Sequence, residues 1–189
     1  APENVMPALR HLGLCLALLL PLAAEWPAHS ETLPICYNYG CKQRGEAVLG
    51  PLDNDQLASL LDQPDAEGER AAVGQAIGLM NQMAARTTPI AADRGGNVQD
   101  SGDGSQDCID HSRNATTYLH YLLEHGWLRF HRVLEPAWRA PWLVDLHYAA
   151  VIEDLKDGLR YAVDAWFFDH GHPAAVLPLP DWNKGFSPQ

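Results

Sequence analysis

Apolar positions along the chain repeat first with a helical period and later with a strand period. Leu57, Leu60 and Leu61 in "DNDQLASLLDQ" predict one helix, and Ala72, Ile77, Leu79 and Met80 in "DAEGERAAVGQAIGLMNQMAART" predict a second beyond Pro64. Asp53 and Asp65 are the expected N-caps. The run "TTPIAADRGGNVQDSGDGSQD" reads as a loop, being rich in Gly, Asp, Ser and Asn. From Cys108 to about His125 the helical period returns. Ile109, Ser112, Ala115, Thr116, Leu119, Leu122 and Leu123 share one inward face, Ser105 or Asp107 caps the start and Gly126 ends it.

Strand character returns in "WLRFHRVL", with Pro136 and Pro141 marking the connection beyond it. "LHYAAVIEDL" and "LRYAVDAWFF" form an antiparallel hairpin about "KDG". The proline-rich tail "HPAAVLPLPDWNKGF" is expected to wrap the core as irregular structure. Helices precede strands, so the fold class is α+β.

The 189-residue length fits a single domain with a substantial core, placed at residues 31–189. Ahead of it, Arg10 and His11 introduce the apolar run "LGLCLALLLPLAA", followed by a small-x-small site at Ala28-His29-Ser30. Residues 1–30 therefore read as a secretory signal peptide, too short and too interrupted by Pro21 to span a bilayer. The expected location is periplasmic or secreted, without stable membrane insertion once the signal is removed. A net charge of −11 argues against nucleic acid as a partner.

Export changes the meaning of the cysteines. Cys15 leaves with the signal, and Cys36 and Cys41 in "CYNYGC" are close enough for a small disulfide loop. Cys108 is left unpaired at the start of a helix. An unpaired thiol in an exported protein is buried and inert, linked to another chain, or kept for its reactivity.

Two further polar residues interrupt apolar surroundings: His147 opens a strand of Ala, Val and Ile, and Asp164 breaks "YAVDAWFF". Each has a bland explanation as a satisfied core or turn residue. Together with Cys108 they supply a thiol nucleophile, an imidazole to exchange its proton, and a carboxylate to orient that imidazole. A helix N-terminus adds a favourable field for the thiolate and backbone N–H groups for an oxyanion. Register matters here. A two-residue turn at Asp157-Gly158 would set Asp164 opposite Val151, some 13 Å along the strand from His147 at ~3.3 Å per residue. A six-residue loop from Glu153 to Gly158 would set His147 directly opposite Asp164, so a wide connection is expected.

"QDCIDHSRNATTYLHYLLEHGW", "LHYAAVIED" and "YAVDAWF" resemble, over roughly residues 65–170, the transglutaminase-like cysteine hydrolases, and within them the bacterial transglutaminase-like cysteine proteinases. The resemblance implies a papain-like α+β core, with the cysteine helix packed on an antiparallel sheet. It implies Cys108 as nucleophile, His147 as base and acid, and Asp164 as the residue that orients His147. Gln106 is an oxyanion-hole candidate. The activity implied is cleavage of an amide bond in a protein or peptide through a thioester. The alternatives are acyl transfer to an amine, or a non-catalytic binding domain that keeps the fold.

This chemistry requires no cofactor. Asp107 is the one calcium option, since Asp100, Asp103 and Asp107 do not match the spacing of a calcium-binding helix–loop–helix. Asp169, His170 and His172 in "FDHGH" form the remaining metal-ligand candidate. Asn114-Ala115-Thr116 fits a glycosylation acceptor but falls inside a helix.

Overall fold

A computed structural model describes residues 29–98, 102–141 and 146–188; nearly all of the signal-peptide reading lies outside these residues. The described elements run in the order β1 (Glu31–Tyr37), β2 (Gln43–Leu49), α1 (Pro51–Leu61), α2 (Ala66–Ala84), α3 (Cys108–Glu124), β3 (His131–Arg139), β4 (His147–Asp154), β5 (Arg160–Asp164), β6 (Ala175–Pro178) and α4 (Leu179–Asn183). A four-stranded antiparallel sheet, ordered β3-β4-β5-β6, stands beside the β1–β2 hairpin. The class is α+β.

The two faces of the larger sheet are covered unequally. Ala150, Ile152, Val163 and Ala165 join the main core, which also holds Val73, Ile77 and Met80 of α2 and Ala115, Tyr118, Leu119 and Leu122 of α3. The opposite face carries Ala149 and Ala162, which pack on Trp182 of α4 with Leu177, Leu179 and Phe186 around them. Two glycines let α2 lie close to the chain beyond β5. A Cβ on Gly74 would sit 2.6 Å from the Ala174 carbonyl oxygen, and one on Gly78 would sit 2.7 Å from that of His172.

Several local expectations change. Asp53 does not cap α1; Gly50 does. Pro51 occupies the first turn, where its missing N–H is harmless, and Asp53 accepts the Gly50 N–H at 2.8 Å. Asp65 does cap α2, accepting from Gly68 N–H at 2.8 Å. The β1–β2 hairpin goes beyond the cysteine loop, which is all that is legible there. Pro136 lies inside β3 rather than beyond it. The ladder to β4 shifts register between Leu134 and Ala137, and a proline without an N–H is tolerated at such an irregularity on an edge strand. The tail is not irregular: β6 pairs with β5, and α4 comes directly after it.

The β4–β5 connection is wide, as expected, but its register falls between the two considered. Asp154 N–H donates to the Leu159 carbonyl at 2.8 Å, and Ala150 pairs with Val163. His147 is therefore not directly opposite Asp164. It lies diagonally, on the same face and two positions along, within reach of long side chains.

Glu69 ties α2 to the sheet from inside the core. Fully buried, it accepts the Arg129 N–H at 2.7 Å and the Phe130 N–H at 3.1 Å, and it lies 2.8 Å from His131 Nδ1. Removing the carboxylate leaves one buried and two part-buried polar groups without their partner. Glu69→Ala is expected to destabilise the protein by about 3 kcal/mol. Urea unfolding checks this, and a loss below roughly 1 kcal/mol would refute the buried-clamp account.

Candidate functional site

The site is built around the first turn of α3. Asp107 is its N-cap and accepts the Asp110 N–H at 2.9 Å, while the Asp110 carboxylate reaches back to the Asp107 N–H at 3.2 Å. This reciprocal pair fixes where the helix begins. Cys108 is thereby its first residue, partly exposed, and its Sγ lies 4.0 Å from the Leu146 carbonyl at the entrance to β4. The N–H groups of Cys108 and Ile109 stand where an α-helix provides no internal acceptor.

Asp110 does more than serve as a first-turn acid. It also accepts the N–H groups of Tyr39 at 2.8 Å and Cys41 at 2.6 Å. Those donors converge because Asn38, Tyr39, Gly40 and Cys41 all take positive φ, between 59° and 68°. Non-glycine residues adopt that conformation at a cost of order 1 kcal/mol or more each, so something must hold the turn. The Cys36–Cys41 disulfide closes it. Asn114 anchors its base, accepting from Cys36 N–H at 2.7 Å and donating to the Cys36 carbonyl at 2.8 Å. Burial, then the nearby Asp107 charge, push the Asp110 carboxyl up to about 6, against the pull of its three backbone donors.

His147 stands where β4 begins, 3% exposed. Its Nε2 lies 2.7 Å from Asp164 Oδ2. The same oxygen accepts Trp182 Nε1–H at 2.8 Å, and Oδ1 accepts the Trp166 backbone N–H at 3.2 Å. Aromatic rings wall the imidazole, with centroids at 4.8 Å for Trp166, 5.2 Å for Phe167 and 5.7 Å for Trp182. Burial acts to lower the affinity of His147 for its second proton. The hydrogen bonds and negative charge of Asp164 and Cys108 act the other way and prevail, raising its pKa to about 9. Cys108, His147 and Asp164 are thus brought together, from the start of a helix, the start of a strand and the end of the next strand.

Other singled-out residues have other surroundings. Gln106 is buried; its side-chain amide donates to the Cys36 carbonyl at 3.0 Å and its backbone N–H to Asp93 at 2.8 Å. Asp107 is engaged in capping, and Asp100 lies outside the described residues. Asp169 accepts the Gly95 N–H at 3.1 Å, whereas His172 Nδ1 sits 2.8 Å from the Pro173 carbonyl; with His170 they form no cluster of ligand atoms among the described residues. The ligand atoms of Cys36, Cys41 and Asp110 do converge, but both sulfurs are bonded to each other. Asn114 is 3% exposed and held by Cys36, which closes its acceptor sequence to glycosylation.

Sequence reasoning missed Asp93. Completely buried, it receives Gln106 N–H, Asn97 Nδ2–H at 3.2 Å and His111 Nε2 at 2.8 Å, so it joins the loop ahead of Cys108 to α3 itself. It also missed Trp166 and Trp182. No local signal marked either indole.

Searches of protein-family models, of curated proteins and of solved structures find no match to this chain.

The disulfide clamp predicts a measurable loss. Cys36→Ser with Cys41→Ser opens a loop with a sequence separation of 5. Chain entropy then predicts a destabilisation of about 2 kcal/mol. Chemical denaturation checks it; a variant as stable as the parent would show that the left-handed turn holds itself.

Proposed function

We propose that this chain is an exported thiol hydrolase of papain-like architecture that cleaves an amide bond through a thioester on Cys108. The observation that carries the reading is His147, held at 2.7 Å by the buried Asp164 carboxylate and with Cys108 near enough to help raise its proton affinity. The order of the three residues, and their resemblance to the transglutaminase-like cysteine hydrolases, support the same reading. The Cys36–Cys41 disulfide supports an oxidising, extracytoplasmic compartment.

Proton affinities set the mechanism. In the reactive pair, His147 carries its second proton and the Cys108 sulfur is the nucleophile. The sulfur attacks the carbonyl carbon, and the Cys108 and Ile109 N–H groups receive the developing oxyanion. Collapse breaks the C–N bond as His147 passes its proton to the leaving amine. The neutral imidazole then takes a proton from the water that attacks the thioester, and departure of the Cys108 sulfur releases the carboxylic acid and restores the starting pair. Asp164 holds the ring in the orientation both steps need and stabilises its charged form.

Iodoacetamide labelling of Cys108 across pH tests the nucleophile. The thiol is expected to react well below pH 8, and His147→Ala is expected to slow labelling at pH 6 by roughly a hundredfold. Labelling that merely tracks an ordinary thiol near pH ~8.5, with no dependence on His147, would sink the proposal.

A second outcome separates labelling from turnover. Because the raised His147 pKa leaves the ring protonated until about 9, peptide hydrolysis should fall as pH rises through that value, the proton donor being lost. Alkylation needs no donor and should persist there. A pH series of both rates on one preparation checks the difference.

A further inference from the structure

We propose that Trp182, in the C-terminal segment, is a positioning residue for this site, fixing the Asp164 carboxylate that in turn orients His147. The inference rests on the thiol-hydrolase reading and adds to it an element from far along the chain.

Acceptor geometry comes first. Asp164 is 1% exposed, so water cannot satisfy its oxygens, and protein donors must. Oδ1 has the Trp166 backbone N–H, and Oδ2 has His147 Nε2 and Trp182 Nε1–H, at 2.7 and 2.8 Å. Two donors on one oxygen leave the carboxylate a single orientation about its final torsion. If the indole donor is lost, Oδ2 retains only the histidine, and rotation breaks or lengthens that bond.

Trp182 is itself immobilised. It is fully buried, and the Arg139 guanidinium lies 4.6 Å from its ring centroid. Arg139 donates to the Trp182 carbonyl and, at 2.7 Å, to that of Phe186. Arg139 is also the cross-strand partner of His147. The chain of contacts is therefore closed: β3 grips the segment, the segment supplies the indole, the indole aims Asp164, and Asp164 holds the ring on the neighbouring strand. The guanidinium over the indole face adds a cation–π attraction that holds the ring in place.

The test uses the whole 189-residue chain in two variants. Trp182→Phe removes the donor with some loss of volume. Trp182→benzothienylalanine, introduced by joining a synthetic C-terminal peptide, replaces the N–H by sulfur at nearly constant shape, and decides the matter should the phenylalanine variant not fold. The readouts are the titration midpoint of His147, measured by NMR of labelled histidine and assigned with His147→Gln, and the pH profile of Cys108 alkylation. Loss of the donor should lower the His147 midpoint by about one unit or more and slow alkylation at pH 7 roughly tenfold. An unchanged midpoint and profile in the sulfur isostere would overturn the proposal, even if its melting temperature falls. The midpoint reads Trp182 independently of turnover, so a Cys108 that proves unreactive in the parent would refute the hydrolase reading and leave this test standing.

Discussion

A carboxylate taken out of water must find its hydrogen bonds inside the protein, and at Asp164 that demand draws distant parts of the chain together. Three donors close on it: one from the strand that carries His147, one from the backbone just after β5, and one from the helix near the C-terminus. None of these segments would be held so closely by apolar packing alone. The face they form carries only a small apolar cluster around Ala149, Ala162 and Trp182. The polar contacts therefore set the geometry there, and the apolar contacts exclude the water that would loosen it.

The same device recurs at three other junctions. Glu69 joins α2 to the start of β3, Asp93 joins the loop before Cys108 to α3, and Asp110 joins α3 to the disulfide turn. Each is buried and each accepts at least one backbone N–H from an irregular segment. Irregular stretches of this chain thus have defined positions because buried acids, Glu69 and Asp110 from helices and Asp93 from the loop itself, accept their free N–H groups. The cysteine helix gains most from the arrangement. Its first turn is fixed from one side by the loop through Asp93 and His111, and from the other by the left-handed turn through Asp110.

Much of this fold was legible wherever hydrophobic period was strong. The helices around Leu57, Ile77 and Leu119 and the strands around Ile152 and Val163 come directly from spacing, as does Cys108 at a helix start. What period cannot convey is register. His147 meets Asp164 along a diagonal because the connection between β4 and β5 is neither tight nor as long as an in-register pair would require, and that length is set by hydrogen bonds such as Asp154 to Leu159. Nor can period reveal a donor whose acceptor is distant. Trp182 looked like part of an irregular apolar tail, since nothing local marks an indole that serves a carboxylate 18 positions earlier. The β1–β2 hairpin was hidden for a related reason: Asn38 and Gly40 mark a turn, but the disulfide and Asp110 that hold its run of positive φ are a covalent and a distant polar partner that period does not convey.

The irregularity at Pro136 has a consequence for how the molecule behaves among its own copies. An outermost strand offers a row of free amide and carbonyl groups to any extended chain that drifts alongside. In β3 that row is broken at its middle by a residue with no amide hydrogen and by a local slip of the ladder, while the opposite border, β6, is only four residues long. Neither margin provides a straight, unbroken template for pairing with another extended chain.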